Sequence, residues 1–206
     1  MQIIANLSYR LAMNQTDPAL EHFKNYLNTL ITIHADQWDF FKSKLQLLEL
    51  AKDEYFFRQG ERPTHIGFTL SGLLVNYYTD SKGDEYVKKF SSAGSPIACY
   101  GSLIHKRDAN YSAKALEPTV LFTLKYATFL ECYDRHPCWE RLGRLIAEKL
   151  YLEKEFREES FLVADAKERY AHFCKYYPDL VQKVPQYLIA SYIGITPVSL
   201  SRLKKE

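Results

Sequence analysis

Apolar residues recur along this chain with changing periods, and the changes divide it into zones. Residues 17–50 have helical spacing. In DPALEHFKNYLNTL, Leu20, Phe23, Tyr26, Leu27 and Leu30 follow a 3.6-residue repeat. Asp17 is a candidate N-cap, Pro18 suits the first helical position and Glu21 falls in the first turn. HADQWDFFKSKLQLLEL, residues 34–50, reads as a second helical piece. Residues 51–130 change to short aromatic and β-branched runs, broken at Gly60-Glu61, Ser71-Gly72, Lys82-Gly83 and Ala93-Gly94. Ile66, Phe68 and Leu70 alternate with small or polar residues, TDSKGDE is a polar hairpin tip, and YSAKALEPTVLFTLKYATF adds two more strand-like runs. Many short strands with frequent turns predict a small antiparallel barrel or roll.

Helical spacing returns in PCWERLGRLIAEKLYLEKEFREESFLV, residues 137–163, with Pro137 near its start. Leu142, Leu145, Leu152, Phe156 and Val163 lie close to a heptad seam that Lys149 and Glu159 interrupt. Periodicity leaves two readings open: an amphipathic helix packed on its own domain, or a helix that pairs with its twin. Asp165 and Glu168 form a capping-box-like start to DAKERYAHFCKYY, which Pro178 limits.

The segment IASYIGITPVSLSRLKKE, residues 189–206, carries the most specific pattern. Gly194 supplies the positive-φ residue that a tight turn between steeply crossed helices requires. Ala190 is small where the second helix would cross the first, and Ile189, Ile193, Ile195, Leu200 and Leu203 point into the wedge. Pro185 and Thr196-Pro197 start the two helices. The outer surface then receives Val198, Ser199, Ser201, Arg202 and Lys205. Arginine can pair with guanine O6 and N7, valine can touch a thymine methyl, and serine can bond a base edge or a phosphate. Thr196, Lys204 and Lys205 suit the phosphate backbone. The competing reading is a helical hairpin that serves a ligand- or protein-binding module without touching DNA.

Composition narrows the classes. The chain has 206 residues and a formal net charge of only +2, so nucleic-acid binding must rest on a local patch. Lys183, Arg202, Lys204 and Lys205 against Glu206 provide one. Cys99, Cys132, Cys138 and Cys174 form no C-x-x-C pair and read as reduced, buried thiols of a cytoplasmic protein. The scattered histidines have no metal-ligand spacing, so no metal or cofactor is assigned. No apolar run suits a membrane span, and no nucleophile motif or glycine-rich phosphate loop points to an enzyme. Residues 1–12 precede a second methionine, Met13, and read as an N-terminal extension or an upstream start.

In this order of parts the chain resembles the Crp-Fnr family of bacterial transcription factors, its Bacteroidetes-type members in particular. FFRQGERPTHIGFTLSGLLVNYYTDSKGDEYVKKF, YSAKALEPTVLFTL, HPCWERLGRLIAEKL and VPQYLIASYIGITPVSLSRLKK carry the likeness. The resemblance implies an α+β protein: an antiparallel β-roll of the cyclic-nucleotide-binding, jelly-roll type with flanking helices in residues 13–136, a dimerisation helix in 137–163, and a winged-helix-type helix-turn-helix domain in 164–206. Leu142, Leu145, Leu152 and Phe156 would line the dimer. The implied partners are double-stranded DNA with a two-fold symmetric operator, a second copy of the chain, RNA polymerase and a small-molecule effector.

The effector stretch would be IACYGSLIHKRDANYSAKAL, with Tyr100, Gly101, Ser102, Leu103, Tyr111 and Ser112 at the pocket. Here the chain departs from nucleotide-binding relatives. Tyr111 stands where their phosphate-clasping arginine belongs, and no acidic residue occurs around Tyr100-Gly101-Ser102. Arg107 and Lys106 lie too far along the chain to replace it neatly, so no cyclic AMP binding is expected. The iron-sulfur form of the family needs an amino-terminal cysteine cluster, which this sequence lacks. The sequence also ends close behind the second helix of the hairpin, without a wing.

Overall fold

Two helices lead into a roll of short strands, and a helical array follows it. The elements are α1 (Pro18–Leu30), α2 (Ala35–Lys44), β1 (Gln46–Leu50), β2 (Tyr55–Phe57), β3 (His65–Ser71), β4 (Leu73–Thr79), β5 (Glu85–Ser92), β6 (Pro96–Ile97), α3 (Tyr100–Ile104), β7 (Ser112–Ala115) and β8 (Thr119–Lys125). After them come α4 (Tyr126–Arg135), α5 (Pro137–Val163), α6 (Ala166–Tyr176), α7 (Leu180–Lys183), α8 (Gln186–Ile193) and α9 (Pro197–Leu203). This computed structural model describes residues 18–205; the candidate cap Asp17 and residues 1–12 lie outside the described residues. The strands pair antiparallel in two four-stranded sheets, ordered β1-β8-β3-β6 and β2-β7-β4-β5. This is the antiparallel roll that the strand pattern predicts, within the α+β arrangement with flanking helices that the family resemblance implies.

Two local readings need correction. The helical piece expected over 34–50 stops at Lys44, and Gln46–Leu50 is strand β1, paired along its length with β8. Its leucines fit either period, and the unpaired edge of β8 decides the matter. The strand-like tail YATF instead begins helix α4.

The side chains of β4 go to opposite faces, as the pleat requires. Leu74 enters the interior of the roll with Leu48, Phe57, Ala113 and Leu121. Leu73, Val75 and Tyr77 point outward and would leave an apolar face in water. Instead, that face and Val87 and Phe90 of β5 are covered by Phe173, Leu188, Ile189 and Ile193 from α6 and α8. The C-terminal helices thus share a core with the roll.

Helix α5 spans the predicted residues, capped by His136 with Pro137 in its first turn. Its first half is anchored. Trp139 and Leu142 are buried among α1, α2 and α4, with the Trp139 ring stacked 4.5 Å from that of Phe41. Gly143 lets α4 approach so closely that any Cβ there would collide with the Tyr133 hydroxyl. Its second half is open, with Tyr151, Leu152, Phe156, Leu162 and Val163 exposed.

Candidate nucleic-acid interface and effector cavity

Gly194 ends α8 in the left-handed region, at φ 74° and ψ 37°. The Ile195 amide donates to the Ala190 carbonyl at 3.0 Å, the 6→1 bond of a Schellman-type ending. Thr196 then caps α9 by accepting from the Ser199 amide at 3.1 Å, and Pro197 occupies the first turn. Ile189, Ala190, Ile193 and Leu200 are buried between the helices; Ile195 and Leu203 are half-buried beside them. Val198, Ser199, Ser201, Arg202, Lys204 and Lys205 are all exposed, as is Thr196. Two of these polar groups have local partners: the Ser199 hydroxyl lies 2.9 Å from that of Thr196, and Lys204 donates to Gln186 Oε1 at 3.0 Å.

The hairpin's turn is held from outside by residues that the sequence pattern did not single out. Arg157, on α5, donates to the carbonyls of Val87 at 2.8 Å, Tyr192 at 2.9 Å, and Lys88. Arg169, on α6, donates to the Ile193 carbonyl at 2.8 Å. The two guanidinium groups therefore satisfy the last carbonyls of α8, where cations are favoured. Phe161 lies between them, 5.1 Å from Arg157 and 5.2 Å from Arg169, and its ring stands where a side chain on Gly194 would begin. Ser191 adds a fourth tie, accepting from the Val87 amide at 2.9 Å. A polar residue every few positions on an amphipathic helix carries no mark of such a role, so only the tertiary structure reveals it.

Between the roll and α5 lies a cavity of about 500 Å³. Tyr100, Gly101 and Tyr111 line it. Ser102 and Leu103 are buried behind it, the Ser102 hydroxyl donating to the Asp108 carbonyl at 3.0 Å. Ser112 is also buried, and accepts from the Gln59 amide at 3.0 Å. Tyr111 is fixed by its hydroxyl, which donates to the Ala98 carbonyl at 2.6 Å; burial pushes its ionisation far above the usual phenol range. Arg107 reaches the lining; Lys106 does not.

Lys88, which no sequence pattern marks, faces the same cavity. The register of β4 and β5 shifts here: Asn76 opposes Lys89 and Tyr77 opposes Val87. Lys88 has no opposite residue, as in a β-bulge, and such an insertion re-aims a side chain. Its ammonium lies 3.9 Å from the centre of the Tyr111 ring, and burial lowers its pKa to about 8. Strand alternation alone cannot anticipate this, because a bulge breaks the period.

Of the seam positions on α5, Leu142 is spent in the core of its own chain and Leu145 is half-buried against that core. Leu152 is 61% exposed. Phe156 is 41% exposed, its covered part resting on His172 and Tyr176 of α6. Among the described residues, no helix is long and apolar enough to cross a membrane.

Residues 47–136 match the family model of the cyclic nucleotide-binding domain. No curated protein matches the chain. Solved structures share its fold at low identity. FixK2 from Bradyrhizobium japonicum is 18% identical, with 78% of this chain and 83% of that one covered and a TM-score of 0.66. The c-di-GMP responsive global regulator CLP of Xanthomonas campestris is 14% identical, with coverage of 84% and 90% and a TM-score of 0.65. The catabolite activator protein of Thermus thermophilus is 20% identical, with coverage of 84% and 83% and a TM-score of 0.53.

Proposed function

We propose that this chain, which carries a cyclic nucleotide-binding domain and has the fold of Crp-Fnr regulators, is a transcription regulator that reads DNA as a homodimer. One observation carries the reading: behind the Gly194 turn, α9 buries Leu200 and leaves Val198, Ser199, Ser201 and Arg202 in solvent. A helix with one anchored apolar edge and a small, polar outer face fits the major groove. Arg202 supplies a fork for guanine, Val198 a contact for a thymine methyl, and Ser199 and Ser201 bonds to base edges or phosphate. Thr196, Lys204 and Lys205 take the backbone.

Dimerisation runs through the open half of α5. Leu152 and Phe156 meet their counterparts in a second copy, while Leu142 and Leu145 fix the helix on the roll. The two-fold axis sets two reading helices one turn of duplex apart, about 34 Å, over a symmetric operator. RNA polymerase is a further partner. The roll senses a small effector, but not cyclic AMP: the arginine that would clasp the cyclic phosphate is replaced by Tyr111, itself bonded to the main chain. Footprinting on the promoter nearest its own gene tests the reading. A protected inverted repeat is the expected result; protection without symmetry, or none that salt weakens, overturns it.

A further inference from the structure

The effector cavity is cationic and aromatic at once. Lys88, Lys89, Arg107, Lys154 and Arg157 line it against a single carboxylate, Glu153. That carboxylate is taken by Lys89, at 3.8 Å. Lys88 forms no ion pair among the described residues and rests on the rings of Tyr111 and, at 5.8 Å, Tyr78. Arg157 leaves its Nε buried without a hydrogen-bond partner. A cation withdrawn from water without a counter-charge is costly, and here a bulge places it there. Apart from Asn76, Ser91, Asn110 and Thr123, the rest of the wall is apolar or aromatic, including Phe68, Phe122, Leu124, Ile146 and Leu150. A volume of about 500 Å³ suits a small molecule.

We propose that this cavity binds a small aromatic acid, its anionic group held by Lys88 and its flat body against Tyr111 and the apolar wall. The site lies beside the position of the relatives' phosphate-clasping arginine, where this chain has Tyr111, but its anchor is Lys88 of β5, and Ser112 lies outside the lining, bonded to Gln59. The missing counter-ion, the ring faces and the apolar depth together ask for a negative charge on a planar hydrophobic body. The proposal rests on the roll being a sensor, and it names the class of molecule sensed.

The test uses the full chain and two fluorescent naphthalenes of similar shape. The anion 8-anilinonaphthalene-1-sulfonate should bind at one saturable site, at least tenfold more tightly than neutral N-phenyl-1-naphthylamine. Lys88→Met should weaken the sulfonate about tenfold, leave the neutral probe unchanged, and be rescued by Lys88→Arg. Equal affinity for the two probes overturns the proposal, and this comparison needs no variant. Undiminished sulfonate binding by a folded Lys88→Met also overturns it. Displacement by 1-naphthoate or by 1-naphthyl phosphate identifies a carboxylate or a phosphate as the preferred acid; displacement by neither counts against the site. Gel shifts on the same preparation separate the two claims. Probe binding that fails while DNA is still bound removes the ligand site alone, and the converse removes the DNA-reading function alone.

Discussion

The ring of Phe161 approaches Gly194 so closely that a Cβ at Gly194 would lie 2.5 Å from its Cε1. Two independent penalties therefore meet at one residue. An alanine at φ 74° costs roughly 1–2 kcal/mol in backbone strain, and the collision with Phe161 adds to it. Gly194→Ala should lower the unfolding free energy by about 2–3 kcal/mol, read from urea midpoints. Combined with Phe161→Ala, the collision term disappears and the strain term remains. The cycle should thus show coupling of about 0.5 kcal/mol or more; strict additivity would deny the contact.

Arg202 and Lys205 should fail differently when truncated. Arg202→Ala is expected to cost about 1–3 kcal/mol of DNA affinity and relax preference at one base pair of each half-site. Lys205→Ala should weaken all sequences alike and reduce the salt slope by about 1 per protomer. Binding-site selection and salt titrations distinguish the two. Identical selected sequences for Arg202→Ala and the native protein would take base reading away from that side chain.

Leu142 and Leu152 occupy the same seam but opposite environments, one buried and the other 61% exposed. Leu142→Ala should cost roughly 2–5 kcal/mol of folding stability through the cavity it leaves. Leu152→Asp should keep the native circular dichroism spectrum and sediment as a monomer. A Leu152→Asp protein that still sediments as a dimer would move the interface off α5.

Burial depresses Lys88 to about 8, with Cys99, Tyr78, Tyr111, Lys89, Lys154 and Arg157 around it. A lysine in the unfolded chain titrates near 10.4. Below about pH 8 both states hold the proton, and the folded state bears the full cost of burying it. Between about 8 and 10.4 the unfolded chain binds a proton that the native state has released, so stability rises with pH. Lys88→Met removes this term. The variant should be more stable than the native protein by about 1–3 kcal/mol at pH 7, with the advantage fading across that window. Urea unfolding of both proteins from pH 7 to 10 measures the difference, in which other titrating groups cancel; a constant difference would mean that Lys88 is well solvated.

Local signals made much of this molecule legible. Pro137 and the apolar repeat located α5; the reciprocal bonds of Asp165 and Glu168, both 2.9 Å, bear out the capping box. Gly194 located the hairpin because a left-handed residue has few chemical solutions. What escaped was set by partners distant in sequence. Gln46–Leu50 became a strand because β8 offered an edge, α4 formed where the pattern read as strand, and Lys88 turned into the cavity because the register slips at Asn76. The outward face of β4 gave no sign that α8 would cover it.

Arg157 grips three oxygen atoms of the main chain on β5 and α8, and its guanidinium also rests 4.5 Å from the centre of the Tyr192 ring on α8. Every amino acid presents the same carbonyl, so these three hydrogen bonds do not depend on which side chains stand at positions 87, 88 and 192. Loss of the one Arg157 guanidinium would therefore break three such bonds together, whereas the apolar cover of β4 and β5 is spread over Phe173, Leu188, Ile189 and Ile193.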